Sequence, residues 1–230
     1  MRRITPVLLL VLFLLAHALA QEPWRVKDFK VWNAEEVRRV LDDSPWAKVV
    51  AVDITWRTTQ GKAGETARPA SDMRLDTLRR VPQAPFLVRW ASARTVRMAL
   101  ARHAMLTRGS SGEEADRFVA RVPEWHEFIV SGPDITPLKS AGPEPLKSSA
   151  LLVLKSSGRR VPAAVVEIMQ RKENEKLEAV AFRFPRNAPD GAVYISSKEK
   201  SIEFVCKISG AEIKASFELA KMISRAGPDF

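Results

Sequence analysis

The stretch that most tightly limits how this chain folds is 202–219, where apolar and polar residues alternate twice around Ser209-Gly210. Ile202, Phe204, Cys206 and Ile208 alternate with Glu203, Val205 and Lys207; Ile213, Ala215, Phe217 and Leu219 alternate with Glu212, Lys214, Ser216 and Glu218. A period of two marks a strand with one buried face, and a glycine-containing pair between two such runs marks a tight hairpin. Turning at Ser209-Gly210 sets Cys206 opposite Ile213, Phe204 opposite Ala215 and Lys207 opposite Glu212. Apolar then meets apolar and opposite charges meet across the pair. A slip of one residue would turn the whole apolar set to solvent, so the pattern fixes the register. Cys206 lies on the apolar face and reads as a buried, inert thiol. It is the only cysteine, which excludes an internal disulfide.

Residues 85–108 predict a second unit, a strand turning directly into a helix. Phe86, Val88 and Trp90 share one strand face. At about 100° per residue the helix gathers Val96, Ala99, Leu100, His103 and Leu106 into an apolar stripe. Arg94, Arg97 and Arg108 then point to solvent, with Arg102 at the edge. On this stripe His103 reads as a core histidine with its hydrogen bonds satisfied.

Capping boxes Asn33/Glu36 and Ser111/Glu114 open two further helices, over 33–43 and 111–121. Between them, 48–56 predicts a strand facing one way with Val50, Val52, Ile54 and Trp56, and 58–72 predicts a long polar loop. A strand over 125–131 places His126 at a solvated edge. Residues 162–170 and 177–184 predict two more strands around the charged turn 171–176. Four prolines and two glycines punctuate 132–145, and all six tryptophans precede residue 126. The fold class is therefore α+β: a mixed N-terminal α/β lobe over 21–131, a Pro/Gly-rich connection over 132–148, and an antiparallel β-rich C-terminal half over 149–230 that can pack with the first lobe as one domain.

The N-terminus has the form of an export signal. Arg2 and Arg3 precede an apolar run over 7–15, and Ala18-Leu19-Ala20 supplies an A-x-A cleavage site, so residues 1–20 are expected to leave as a signal peptide. No later stretch is apolar for the roughly 18 residues a membrane-spanning helix needs. A soluble periplasmic or secreted chain follows. Its charge is concentrated: 57–108 holds eleven Arg and Lys against Glu65, Asp72 and Asp76. A localised surplus of that kind is a candidate anion footprint. Export disfavours nucleic acid as the partner and favours an anionic envelope component or an acidic protein face.

Catalytic and metal patterns are weak, and no cofactor is implied. His103 and His126 fall in no zinc-ligand spacing. Gly109-Ser110-Ser111-Gly112 lacks the G-x-S-x-G elbow, and Ser197 to Lys200 matches S-x-x-K only within a charged loop. The sharpest candidate is the helix start at Ser92. Arg94 and Arg97 there run against the helix dipole, and an anion held by Ser92, Arg94, Arg97 and the free N–H groups would relieve the mismatch; Arg108, on the same solvent side, completes the candidate anion-binding set. The competing expectation is that a carboxylate of the protein does so, or that the arginines point into water.

Trp32-Asn33 with Glu36-Val37, Leu41-x-Asp43-Ser44-Pro45-Trp46-Ala47, Val88-Arg89-Trp90-x-Ser92-Ala93 and Phe182-Arg183-Phe184-Pro185-Arg186 resemble landmarks of a group of exported, uncharacterised acidobacterial proteins. That resemblance implies export and carries no activity. The sequence favours a non-enzymatic binding or interaction protein of the cell envelope. An envelope hydrolase assembled from sequence-distant residues, or a structural subunit of an envelope assembly, are the alternatives.

Overall fold

The computed structural model describes residues 22–53, 83–169, 178–208 and 211–230. The expected signal peptide over 1–20, Ile54, Trp56, the stretch 58–72 expected as a loop and the stretches 171–176 and 209–210 expected as turns lie outside them, as do residues 57–82 of the basic segment. Among the described residues the chain forms six α-helices and eleven strands, an α+β protein with a β-rich later half. In chain order these are α1 (Pro23–Val26), α2 (Ala34–Asp42), β1 (Ala47–Asp53), β2 (Gln83–Trp90), α3 (Arg94–Arg108), α4 (Gly112–Ala120), β3 (Trp125–Gly132), α5 (Thr136–Ala141), α6 (Pro143–Ser149), β4 (Ala150–Leu154), β5 (Arg160–Pro162), β6 (Val165–Met169), β7 (Glu178–Pro185), β8 (Ser201–Ile208), β9 (Ala211–Glu218), β10 (Ile223–Ser224) and β11 (Gly227–Pro228).

Two antiparallel sheets carry the core, with strand orders β1-β2-β3-β7-β6 and β5-β4-β8-β9. β8 and β9 pair in the register the alternation dictates, with Cys206 opposite Ile213, Phe204 opposite Ala215 and Lys207 opposite Glu212. Their inward residues, Phe204, Cys206, Ile213 and Phe217, are fully buried. In the larger sheet Phe86, Val88, Trp90, Phe128, Val130, Phe182 and Phe184 face the same interior. Phe128 is the hub. Its ring stacks on Trp90 at 4.9 Å and on Phe204 at 5.7 Å, and meets Phe217 at 5.5 Å and Phe184 at 5.8 Å. Each aromatic pair adds about 0.5–1.5 kcal/mol beyond the area it buries, so this cluster ties the sheets together.

β3 pairs with β7 along its whole length, so residues before and after the Pro/Gly-rich stretch share one sheet. That stretch holds two short helices, α5 and α6, rather than irregular chain, each with proline in its first turn where no backbone donor is needed. Leu138 and Leu146 anchor them in the core. The strand expected over 162–170 is split. β5 belongs to the smaller sheet and β6 to the larger, and Ala163-Ala164 carries the chain between them.

Both capping boxes form as the sequence dictates, at Asn33/Glu36 and Ser111/Glu114. α3 ends at Gly109, whose φ of +69° is a left-handed stop that favours glycine. Its buried face differs from the expected stripe. Thr95, Val96, Arg97, Ala99 and Ala101 are buried, whereas His103 is exposed and Leu106 is 44% exposed. The reason is that α3 packs against both α2 and α4. Small residues such as Ala101 let neighbouring helices approach, which rotates the covered face away from His103.

Candidate functional site

The start of α3 is built by three distant parts of the chain. β2 ends at Trp90, and the turn Ala91-Ser92-Ala93 is pinned to β3 because Ala91 N–H donates to the Glu127 carbonyl at 2.8 Å. The Ser92 hydroxyl oxygen accepts from Trp90 Nε1 at 3.1 Å and from Glu127 N–H at 3.0 Å, so it holds the turn rather than facing a ligand. Ala93 occupies the cap position and offers no side-chain acceptor. The missing acceptor comes from Asp229: its carboxylate takes the N–H of Arg94 at 2.7 Å and that of Thr95 at 2.6 Å. Asp229 is itself fixed, its carbonyl accepting from Trp46 Nε1 at 2.8 Å and its N–H donating to the Met222 carbonyl at 2.9 Å. The first free donors of the helix, together with the positive end of its dipole, are thus met from within the protein.

Arg97 does not point to solvent. It is 7% exposed, and its Nη2 donates to the carbonyls of Phe118 and, at 2.8 Å, of Val119. Those carbonyls belong to the last turn of α4, where acceptors are otherwise unmet and a cation complements the dipole. Burial holds its pKa below the usual arginine range. Asp229 opposes that shift, while Arg94, Arg186 and Arg121 add to it. The same two effects act on Arg186, where burial lowers the pKa against the pull of Asp229.

Between these elements lies a cleft of about 330 Å³. Arg94, Arg97, Arg121 and Arg186 line it, with Asp229 as its acid and Trp90, Val119 and Pro123 as its apolar wall. Ser92, Arg94 and Arg97 therefore do come together. Arg108 does not: it closes the far end of the 15-residue α3, about 20 Å away at 1.5 Å per residue. It lines another groove with His103 and Glu114. Arg121 and Arg186 were not visible as members of the site. Arg121 follows α4, Arg186 follows β7, and only the pairing of β3 with β7 joins them.

Asp229 spends its two oxygens on backbone donors, and Arg97 spends part of its fork on α4. Arg94, Arg121 and Arg186 have no carboxylate within ion-pair distance among the described residues. Arg94 and Arg121 are exposed and Arg186 is half-buried. Three cations with planar donor forks facing one small cleft suit a carboxylate or phosphate group.

His126 and Cys206 are both buried. His126 sits on the inner face of β3, 3% exposed, not at a solvated edge. Its ring lies 5.4 Å from that of Trp90, and its Nδ1 has no hydrogen-bond partner. Burial, aided by Arg186, pushes its pKa down to about 3, so the ring stays neutral. Its place was legible in the parity it shares with Phe128 and Val130. Cys206 is buried, 3.8 Å from the Ser149 hydroxyl, and burial raises its thiol to about 11. Among the described residues no three His, Cys, Asp or Glu side chains converge as a metal site would require, and no helix is long and apolar enough to cross a membrane. Comparison with protein-family models, with curated proteins and with solved structures found no match.

Proposed function

We propose that this is an exported, non-enzymatic binding protein of the cell envelope, and that the arginine cleft at the head of α3 holds an anionic group of its partner. One observation carries the reading: Arg94, Arg121 and Arg186 converge on a cleft of about 330 Å³, with no carboxylate in ion-pair distance of any of them among the described residues. Like charges brought together repel, and a bound anion removes that cost while gaining charge-assisted hydrogen bonds. The apolar run over 7–15 and the A-x-A site at 18–20 support export.

The test is retention of the purified protein on anionic envelope material. Screening shortens from about 10 Å at 0.1 M salt to about 3 Å at 1 M, so retention should be strong at the lower concentration and largely lost at the higher. The triple variant Arg94→Ala, Arg121→Ala, Arg186→Ala should fold normally and elute early at low salt. Equal retention of variant and parent would remove the cleft from the interaction.

A further inference from the structure

Beside the arginine cleft lies a second one of about 340 Å³. The two share Ser92, Arg97, Arg121, Val122 and Pro123, so they flank the turn that leads from α4 into β3. The second cleft has a different lining: Leu100 from α3, Phe118 from α4, and Trp125 and Ile129 from the outer face of β3. Val122 is 85% exposed and Phe118 is 42% exposed, two apolar side chains left in water next to a cluster of cations. Arg97 lies at the junction, with its guanidinium 5.6 Å from the Phe118 ring. The charges within this cleft are matched internally, because Arg183 holds Glu127 at 2.8 Å and Glu167 at 3.0 Å. Arg97 and Arg121 are shared with the first cleft; of the other charged residues lining this one, Glu124 has no ion-pair partner among the described residues, and its carboxylate disfavours a second acidic group beyond those cations.

From this pairing we infer that the ligand is an anionic amphiphile with a single acidic head: the head sits among Arg94, Arg121 and Arg186, and an alkyl chain runs over Val122, Phe118 and Leu100. The inference rests on the reading of the first cleft as an anion site. A small inorganic anion would leave the exposed apolar side chains unused, and a neutral lipid would leave the three cations unmatched. An amphiphile satisfies both at once, by charge complementarity at one end and removal of apolar surface from water at the other.

The experiment is calorimetric titration with inorganic phosphate and with n-alkyl phosphates from ethyl to decyl, at low salt and below micelle formation. Affinity should rise with chain length, by about fourfold per methylene that becomes buried, until the second cleft is filled. Phe118→Ser should flatten this dependence. Val122→Ser, at a side chain that is mostly in solvent, should reduce it with no effect on folding. Arg121→Ala with Arg186→Ala should weaken all the alkyl phosphates by a similar factor and leave the slope. Sedimentation with anionic phospholipid vesicles separates the sources: pelleting that depends on those arginines marks a bilayer lipid, and protein that stays in the supernatant takes free amphiphile. Equal affinity for phosphate and decyl phosphate would overturn the amphiphile and leave the anion cleft standing. A slope that survives both serine variants would overturn the placement of the chain. Failure of every phosphate to bind would overturn the anion cleft itself.

Discussion

Replacing Asp229 with alanine tests how the start of α3 is held. The carboxylate accepts from Arg94 N–H at 2.7 Å and Thr95 N–H at 2.6 Å, and the residue is 8% exposed. Loss of a helix cap costs about 1 kcal/mol, and a buried donor left without an acceptor, here Thr95 N–H, costs about 1–3 kcal/mol. The expected destabilisation is about 2–4 kcal/mol, which for a chain of this size lowers the thermal midpoint by about 5–15 °C. Asp229→Asn keeps one acceptor oxygen and should lose about half as much. Urea and thermal unfolding of the three proteins supply the measurement. The same change removes the Asp229 carboxylate from the arginine cleft, so added phosphate should stabilise the alanine variant more than the parent. An alanine variant within about 0.5 kcal/mol of the parent, with the same response to phosphate, would refute both the cap and the charge argument.

Phe128→Ala removes the ring that joins the two sheets at Trp90, Phe204, Phe217 and Phe184; it should cost about 3–5 kcal/mol in chemical unfolding. His126 titrates near 3 in the folded chain but at about 6.5 when unfolded. Its contribution is therefore complete above about pH 6.5 and declines by about 1.4 kcal/mol per unit as the pH falls towards 3. His126→Phe should lose less stability than the parent between pH 7 and pH 4.5, and parallel losses would count against the buried neutral ring. Cys206, raised to about 11 by burial, should react with a thiol reagent far more slowly in native buffer than in denaturant; equal rates would contradict its place in the core.

What the sequence disclosed was local. The hairpin register and both capping boxes rest on contacts between near neighbours, and each formed as its residues dictate. The inward face of β2 was equally plain, because Phe86, Val88 and Trp90 keep strict parity; on β3 His126 shares the parity of Phe128 and Val130, but its neighbours Glu124 and Glu127 pointed to a solvated edge, and the residue is buried. Features set by distant contacts were hidden. A helical wheel assumes one covered face, but α3 is covered by both α2 and α4, so Arg97 went inside and His103 outside. The acid that caps α3 lies 134 residues beyond Thr95, and nothing in the spacing announces it. Arg121 and Arg186 join the cleft only because β3 and β7 are neighbours in the sheet.

The central claim, that the cleft holds an anion, is tested most directly by following arginine Nε–H resonances during phosphate titration at low ionic strength. Arg89 and Arg102 provide internal controls, since their Nε groups already donate to the carbonyls of Leu41 at 2.6 Å and Trp32 at 2.7 Å. Signals of Arg94, Arg121 and Arg186 should shift together along one saturable curve while those of Arg89 and Arg102 stay fixed. Uniform, unsaturable drift of all five would contradict the claim and reduce the cleft to an ordinary cationic surface.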